Sequence, residues 1–132
     1  MPVDRGLRHA SPRHSQRGVI TTEAAIISAV MLVVIFTAVQ AWLFYAARNA
    51  AQSGAAACVE RVRGDGQGTA AGRDSASSVI SQSGALDSWS VDVTNGGTTV
   101  RCTVTGRAPT LGVLGLDQIS QSATMTKERV TR

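Results

Sequence analysis

The feature that most constrains this chain is an uncharged, largely apolar run of 24 residues from Ala24 to Ala47, entered through a single carboxylate, Glu23. As a helix this run spans about 36 Å, which exceeds the roughly 30 Å hydrocarbon core of a bilayer. The alternative is a buried helix of a soluble domain. The remaining 108 residues hold too few large apolar side chains to surround a helix that is apolar on nearly every face. The run therefore predicts one tilted transmembrane helix.

Charge on the two sides of the run predicts its orientation. Residues 1–18 carry four arginines against one aspartate, whereas the residues after Ala47 are nearly balanced in charge. Basic residues beside a span are retained in the cytoplasm, so the N-terminus is expected inside and the C-terminal part outside. The high pI of about 10.0 is then explained by the basic flank that sets the orientation of the span, and nucleic acid is not an expected partner.

The two cysteines, Cys58 and Cys102, both lie in the part expected to be exported, where disulfides persist. We expect them to pair, closing a loop of about 45 residues that stabilises a small head by about 4 kcal/mol. Two unpaired thiols packed as small apolar side chains are the alternative.

The residues before the run carry a short motif. Arg17-Gly18 is followed by Val19 and, five residues after the glycine, by Glu23. This spacing resembles the processing motif of type IV prepilins and pseudopilins, and the whole layout is most similar to the TadE-like pseudopilin family of Flp/Tad pilus systems. The resemblance implies that a prepilin peptidase cuts after Gly18 and leaves Val19 as the new N-terminus. Its departures are Val19 and Ala24, where an aromatic and Phe are usual, and a span without proline.

The position of Glu23 requires a physical explanation that does not depend on the family resemblance. A carboxylate at the head of a spanning helix loses solvation unless it is paired. The amine of a processed Val19, on the same or a neighbouring subunit, would pair with it and set helix register during assembly. The alternative is an interfacial glutamate that reaches the headgroups and is favoured by the positive end of the helix dipole.

Beyond the span the helix is expected to continue to Arg63. Small residues recur every four positions at Ala46, Ala50, Gly54 and Cys58, a stripe that allows another helix to approach closely. Plain alanine-rich helix propensity explains the helix equally well but not the placement of Gly54. The glycines from Gly64 to Gly68 end it.

The rest predicts a small α+β head. Residues 69–83 suit a short second helix, with Ala76, Val79 and Ile80 as its packing face. Alternating residues on both sides of Asn95-Gly96-Gly97 predict a β-hairpin, and residues from Gln118 onward predict a third strand. One face of the hairpin should carry Trp89, Val91, Val93, Val100, Cys102 and Val104. The domain prediction is a basic cytoplasmic leader at 1–18, a transmembrane helix with an extramembrane extension at 19–63, and an exported head at 64–132. The leader is expected to be disordered over residues 1–17.

These patterns favour a single-pass membrane protein of a Tad-type pilus or related secretion apparatus, with other pilins or pseudopilins as partners and no cofactor. A small protein released by signal peptidase is the alternative, with Ala55-Ala56-Ala57 as a conceivable cleavage site, although 24 residues is long for a signal sequence. An enzyme is not expected, since the head has no histidine and no recognisable nucleophile motif. His9 and His14 lie in the leader without other ligands at metal-binding spacing, so no metal site is predicted.

Overall fold

The structure is a computed structural model, and it describes residues 16–64, 68–110, 115 and 117–127, with side chains from residue 21 onward. The elements in chain order are helix α1 (Gln16–Arg63), helix α2 (Thr69–Ser83), and strands β1 (Ser88–Asn95), β2 (Thr99–Arg107) and β3 (Gln118–Thr126). The chain is therefore α+β, with a long N-terminal helix, a shorter second helix and a three-stranded antiparallel sheet, as predicted.

Helix α1 is longer than predicted at its N-terminal end. It begins at Gln16 and not at residue 19, so the last residues of the expected disordered leader are helical and that part of the prediction is wrong. Nothing in 16–18 breaks a helix except Gly18, which costs about 1 kcal/mol relative to alanine and is tolerated in a long helix. The rest of the predicted leader, residues 1–15, lies outside the described residues.

The sheet follows the alternation of the sequence. Strand β2 is central and pairs antiparallel with β1 on one side and β3 on the other. Val91 lies opposite Val104 and Val93 opposite Cys102, while Ala123 and Met125 of β3 lie opposite Cys102 and Val100. These residues share one face of the sheet, which confirms both the hairpin and the third strand.

Polar side chains occupy the other face of the sheet, and the inner face carries its most buried residues on β2. Val100, Cys102 and Val104 are fully buried. Trp89 is on the predicted face, opposite Gly106, yet its side chain stays 37% exposed because it lies at the end of the strand. The strongest burial is therefore central, where the helices cover the sheet.

The chain divides into two compact units, one ending at Thr37 and one beginning at Ala38. The core of the second unit joins the C-terminal part of α1 to the rest of the head. One cluster groups Ala47, Ala51 and Ala55 with Ile80, Val104 and Ile119. A second groups Cys58, Val59 and Val62 with Ala76, Val100 and Cys102. The C-terminal part of α1 is thus a structural element of the head.

Helix α2 occupies the predicted residues, and a glycine follows its C-terminal end. Gly84 follows its last residue in the left-handed conformation, with φ of 60°, which glycine adopts without steric cost. The connection from Ala108 to Asp117 is closed by a backbone hydrogen bond from Ala108 N to Asp117 O of 2.8 Å. The centre of this connection, at 111–114, lies outside the described residues.

Candidate functional site

The first candidate surface is the apolar part of α1 that belongs to the N-terminal unit. All nine large apolar side chains from Ile26 to Phe36 are between 53% and 66% exposed. Soluble monomers rarely expose a contiguous apolar surface of this kind. In the part of the chain that the structure describes, α1 is a helix long and apolar enough to cross a membrane, and it lies near the N-terminus.

The few polar side chains in this segment are satisfied locally. The Ser28 hydroxyl donates to the Ala25 carbonyl at 2.9 Å, and the Thr37 hydroxyl donates to the Val33 carbonyl at 2.8 Å. Both bonds fold the hydroxyl back on the preceding helical turn. Neither residue then presents an unpaired hydroxyl proton to an apolar environment, where it would be costly.

The second candidate feature is the segment that holds the predicted processing and assembly residues. Gly18 and Val19 lie in the first turns of α1, described by their backbone alone, and Glu23 lies one turn beyond Val19 with its side chain exposed. Residues four apart on a helix share a face, with Cβ atoms about 5–6 Å apart. Val19 and Glu23 therefore lie on the same face of α1, one turn apart.

The third feature is the disulfide. Cys58 of α1 and Cys102 of β2 are bonded, with their Cα atoms 6.2 Å apart, as predicted. Both residues are fully buried. The bond joins the long helix to the central strand across a sequence separation of 44 residues, so the C-terminal part of α1 is covalently held in the head.

The predicted small-residue stripe on α1 meets the chain's own second helix. A Cβ on Gly54 would lie 2.8 Å from Cδ1 and Cγ1 of Ile80 and 3.5 Å from the Ala76 carbonyl oxygen. Ala50 is buried, whereas Ala46 is only half-buried. The predicted stripe is therefore occupied by α2 at Gly54, and its end at Ala46 is only partly covered.

Gly72 of α2 is a packing residue that the sequence reasoning missed. A Cβ on Gly72 would collide with Val62 and would lie 3.2 Å from both the carbonyl oxygen and the sulfur of Cys58. The available signal was its spacing, because Gly72, Ala76 and Ile80 recur every four residues and are the buried residues of α2. α1 and α2 thus each place a glycine against the other helix, at a position where a Cβ would lie too close to a neighbouring side chain.

Over the described ranges, no group of three histidine, cysteine, aspartate or glutamate side chains is placed to hold a metal ion. The ion pairs there include Arg63–Glu60 at 3.5 Å and Arg107–Asp117 at 3.7 Å, both on exposed or half-exposed side chains. Such exposed pairs contribute little to stability.

The comparisons with known proteins give no further assignment. No protein-family model, no curated protein and no solved structure matches this chain.

Proposed function

We propose that this chain is a single-pass membrane protein that acts as a pseudopilin-like minor component of a Tad/Flp-type pilus or a related secretion apparatus. The observation that carries the proposal is that the two parts of α1 have different surroundings. Its N-terminal part exposes large apolar side chains, and its C-terminal part is built into a small disulfide-bonded head. A pilin-like subunit requires both on a single helix.

The motif at the start of α1 supports the pilus assignment over an ordinary anchored protein. Gly18 and Glu23 have the spacing that a prepilin peptidase substrate requires, and α1 is helical through both residues. Cleavage after Gly18 would remove the basic leader and create a cationic α-amine at Val19. Glu23 would then pair with that amine, or with the amine of a neighbouring subunit, and so fix the axial position of one helix against another.

The packing of the head argues against the alternative, release by signal peptidase. A cut in Ala55-Ala56-Ala57 would separate Ala47, Ala50 and Ala51 from the head core in which they are buried. The released head would expose the surface of α2 and the sheet that these residues cover. Retention of α1 is the arrangement that leaves the core intact.

The proposed topology places the N-terminus in the cytoplasm and the head outside, because the basic residues precede the span. A reporter that is active only after export, fused after Arg132, should be active. A reporter that works only in the cytoplasm should be silent at the same position. The reverse pair of results would overturn the topology.

The role in assembly is tested at Glu23 in cells that hold a complete Tad apparatus. Glu23→Gln keeps the size and shape of the side chain and removes its charge, so we expect normal membrane insertion and a several-fold lower recovery of the chain in purified pilus or apparatus fractions. Glu23→Asp, which keeps the charge, is the matched control and should recover much of the wild-type level. Equal recovery of all three proteins would remove the proposed pairing role, and absence of the wild-type chain from the apparatus would remove the pilus assignment itself.

A further inference from the structure

The second unit contains an open groove that the proposed function does not use. It has a volume of about 490 Å³ and lies between α1 and the C-terminal end of α2. Its apolar walls are formed by Trp42, Leu43, Ala46, Val79, Ala85 and Pro109. This volume is in the usual range for sites that bind small apolar ligands.

The groove arises from the small side chains of α1 and from the end of α2. Ala46 and Ala50 present only methyl groups, so α1 fills little of the space between the helices. Helix α2 stops at Ser83, and Gly84 turns the chain away without adding a side chain. At the rim Trp42 is 67% exposed, which is unusual because tryptophan is highly buried on average.

The position of the groove along α1 indicates what it meets. Glu23 is charged and belongs at one surface of the hydrocarbon core, and a core of about 30 Å corresponds to about 20 helical residues. The opposite surface then lies near Trp42 and Leu43, where the groove begins. Trp42 and Tyr45 are both strongly exposed there, and tryptophan and tyrosine favour membrane interfaces.

Polar groups also line the groove. Asn49 and Ser53, about two to three turns beyond Trp42 and Leu43 along α1, add an amide and a hydroxyl, and Ser83 of α2 adds a second hydroxyl. The groove is therefore largely apolar with a few polar groups, as is usual for ligand sites.

We propose that this groove binds an acyl chain of a glycerophospholipid from the leaflet that the head faces. The bound chain covers Trp42, Leu43 and Ala46 and contacts Val79 and Pro109. The head is then held against the membrane surface by a lipid as well as by its own helix. This inference rests on the membrane residence proposed above.

The test uses the full chain in phosphatidylcholine vesicles that contain a fraction of phosphatidylcholine with a photoactivatable diazirine on one acyl chain. After irradiation, labelled peptides are mapped by mass spectrometry. We expect label in two places, on the segment 24–41 and on head peptides that contain Val79 or Pro109. Ala46→Phe fills the groove, so the head peptides should lose their label while the segment 24–41 keeps it. Ser78→Phe, an exposed position of α2 outside the groove, is the matched control and should label as the wild type does.

The outcomes separate this inference from the proposed function. Label on 24–41 without label on the head peptides would overturn the lipid site and leave the membrane helix in place. Head label that is unchanged in Ala46→Phe would also overturn the site, provided that the Cys58–Cys102 disulfide shows that the variant is folded. Absence of label from both regions would contradict membrane residence, and the lipid site with it.

Discussion

Two stretches of the same helix show how side-chain size separates two environments. From Ile26 to Phe36 α1 carries nine large apolar side chains, all more than half exposed. From Ala47 to Val62 its buried residues are alanine, glycine, cysteine and valine, and they pack against α2 and the sheet. Burial of a large apolar side chain is worth about 1.5–3 kcal/mol, so the first stretch leaves a large driving force unused within the chain. The second stretch is stabilised by close approach of the helix backbone to its neighbours, which its small side chains allow.

This difference teaches that hydropathy and packing are separate signals on one helix. The first stretch is suited to a solvent of hydrocarbon, where many large side chains all round the helix are favourable. The second is suited to a protein neighbour, since small side chains let helices approach closely. Substitutions in each stretch should therefore affect different measurements.

The largest expected effect is on membrane residence. Val34→Arg together with Ile35→Arg places two charges near the centre of the apolar run, and each costs about 2.5–3.5 kcal/mol at the centre of a spanning helix. We expect the double variant to shift from the membrane fraction to the carbonate-extractable fraction, with the thermal unfolding of the head unchanged. Ser81→Arg with Gln82→Arg, on exposed positions of α2, is the control and should stay in the membrane. Equal extraction of both double variants would mean that the exposed apolar stretch has no special role.

The next largest effect is expected from the disulfide. Replacing Cys58 and Cys102 together by alanine should lower the free energy of unfolding of the head by about 4 kcal/mol, because the unfolded chain regains the freedom of a loop of about 45 residues. Denaturant titration in detergent, followed by fluorescence in a Trp42→Phe background, isolates the signal of Trp89. Membrane retention should not change. A loss well under 1 kcal/mol would show that the bond is not a main support of the head.

A smaller effect is expected at the contact between α1 and α2. Gly72→Ala forces a methyl group against Val62 and Cys58, and such overpacking typically costs about 1–3 kcal/mol. Gly54→Ala meets Cδ1 and Cγ1 of Ile80 at 2.8 Å and the Ala76 carbonyl oxygen only at 3.5 Å, whereas Gly72→Ala also meets the Cys58 carbonyl oxygen at 3.2 Å. Both variants gain about 1 kcal/mol of helix propensity, so the net cost should be lower for Gly54→Ala. The same denaturant titration ranks the two variants. A larger loss for Gly54→Ala would contradict the packing described for Gly72.

Much of the fold could be predicted from the sequence because its local signals agree with its tertiary structure. The alternation around Asn95-Gly96-Gly97 predicts the hairpin and its buried face, and the bounds of α2 match the structure. What could not be predicted was which small residues meet. From the sequence alone, Gly72 is only an unfavourable residue in a helix. Its packing role becomes visible only from the close approach of α1 in the structure.

The candidate functional features likewise divide into those that the sequence predicted and those that it did not. The cysteine pairing followed from the presence of two cysteines in a segment expected to be exported, and the structure contains the bond. The groove beside Trp42 could not be foreseen, since it depends on where α2 ends relative to α1. The roles of Gly18 and Glu23 depend on a peptidase and on neighbouring subunits, so they stay predictions that the chain alone does not test.

The measurement that bears most directly on the proposed function is the intact mass of the full chain produced together with a prepilin peptidase, and again without it. With the peptidase, we expect a mature chain that begins at Val19, and Gly18→Ala should retain the leader while still entering the membrane. Without the peptidase, the leader should remain on the wild-type chain. A wild-type chain that still carries residues 2–18 in the presence of an active peptidase would contradict the pseudopilin assignment and leave a membrane-anchored protein with a basic N-terminal tail.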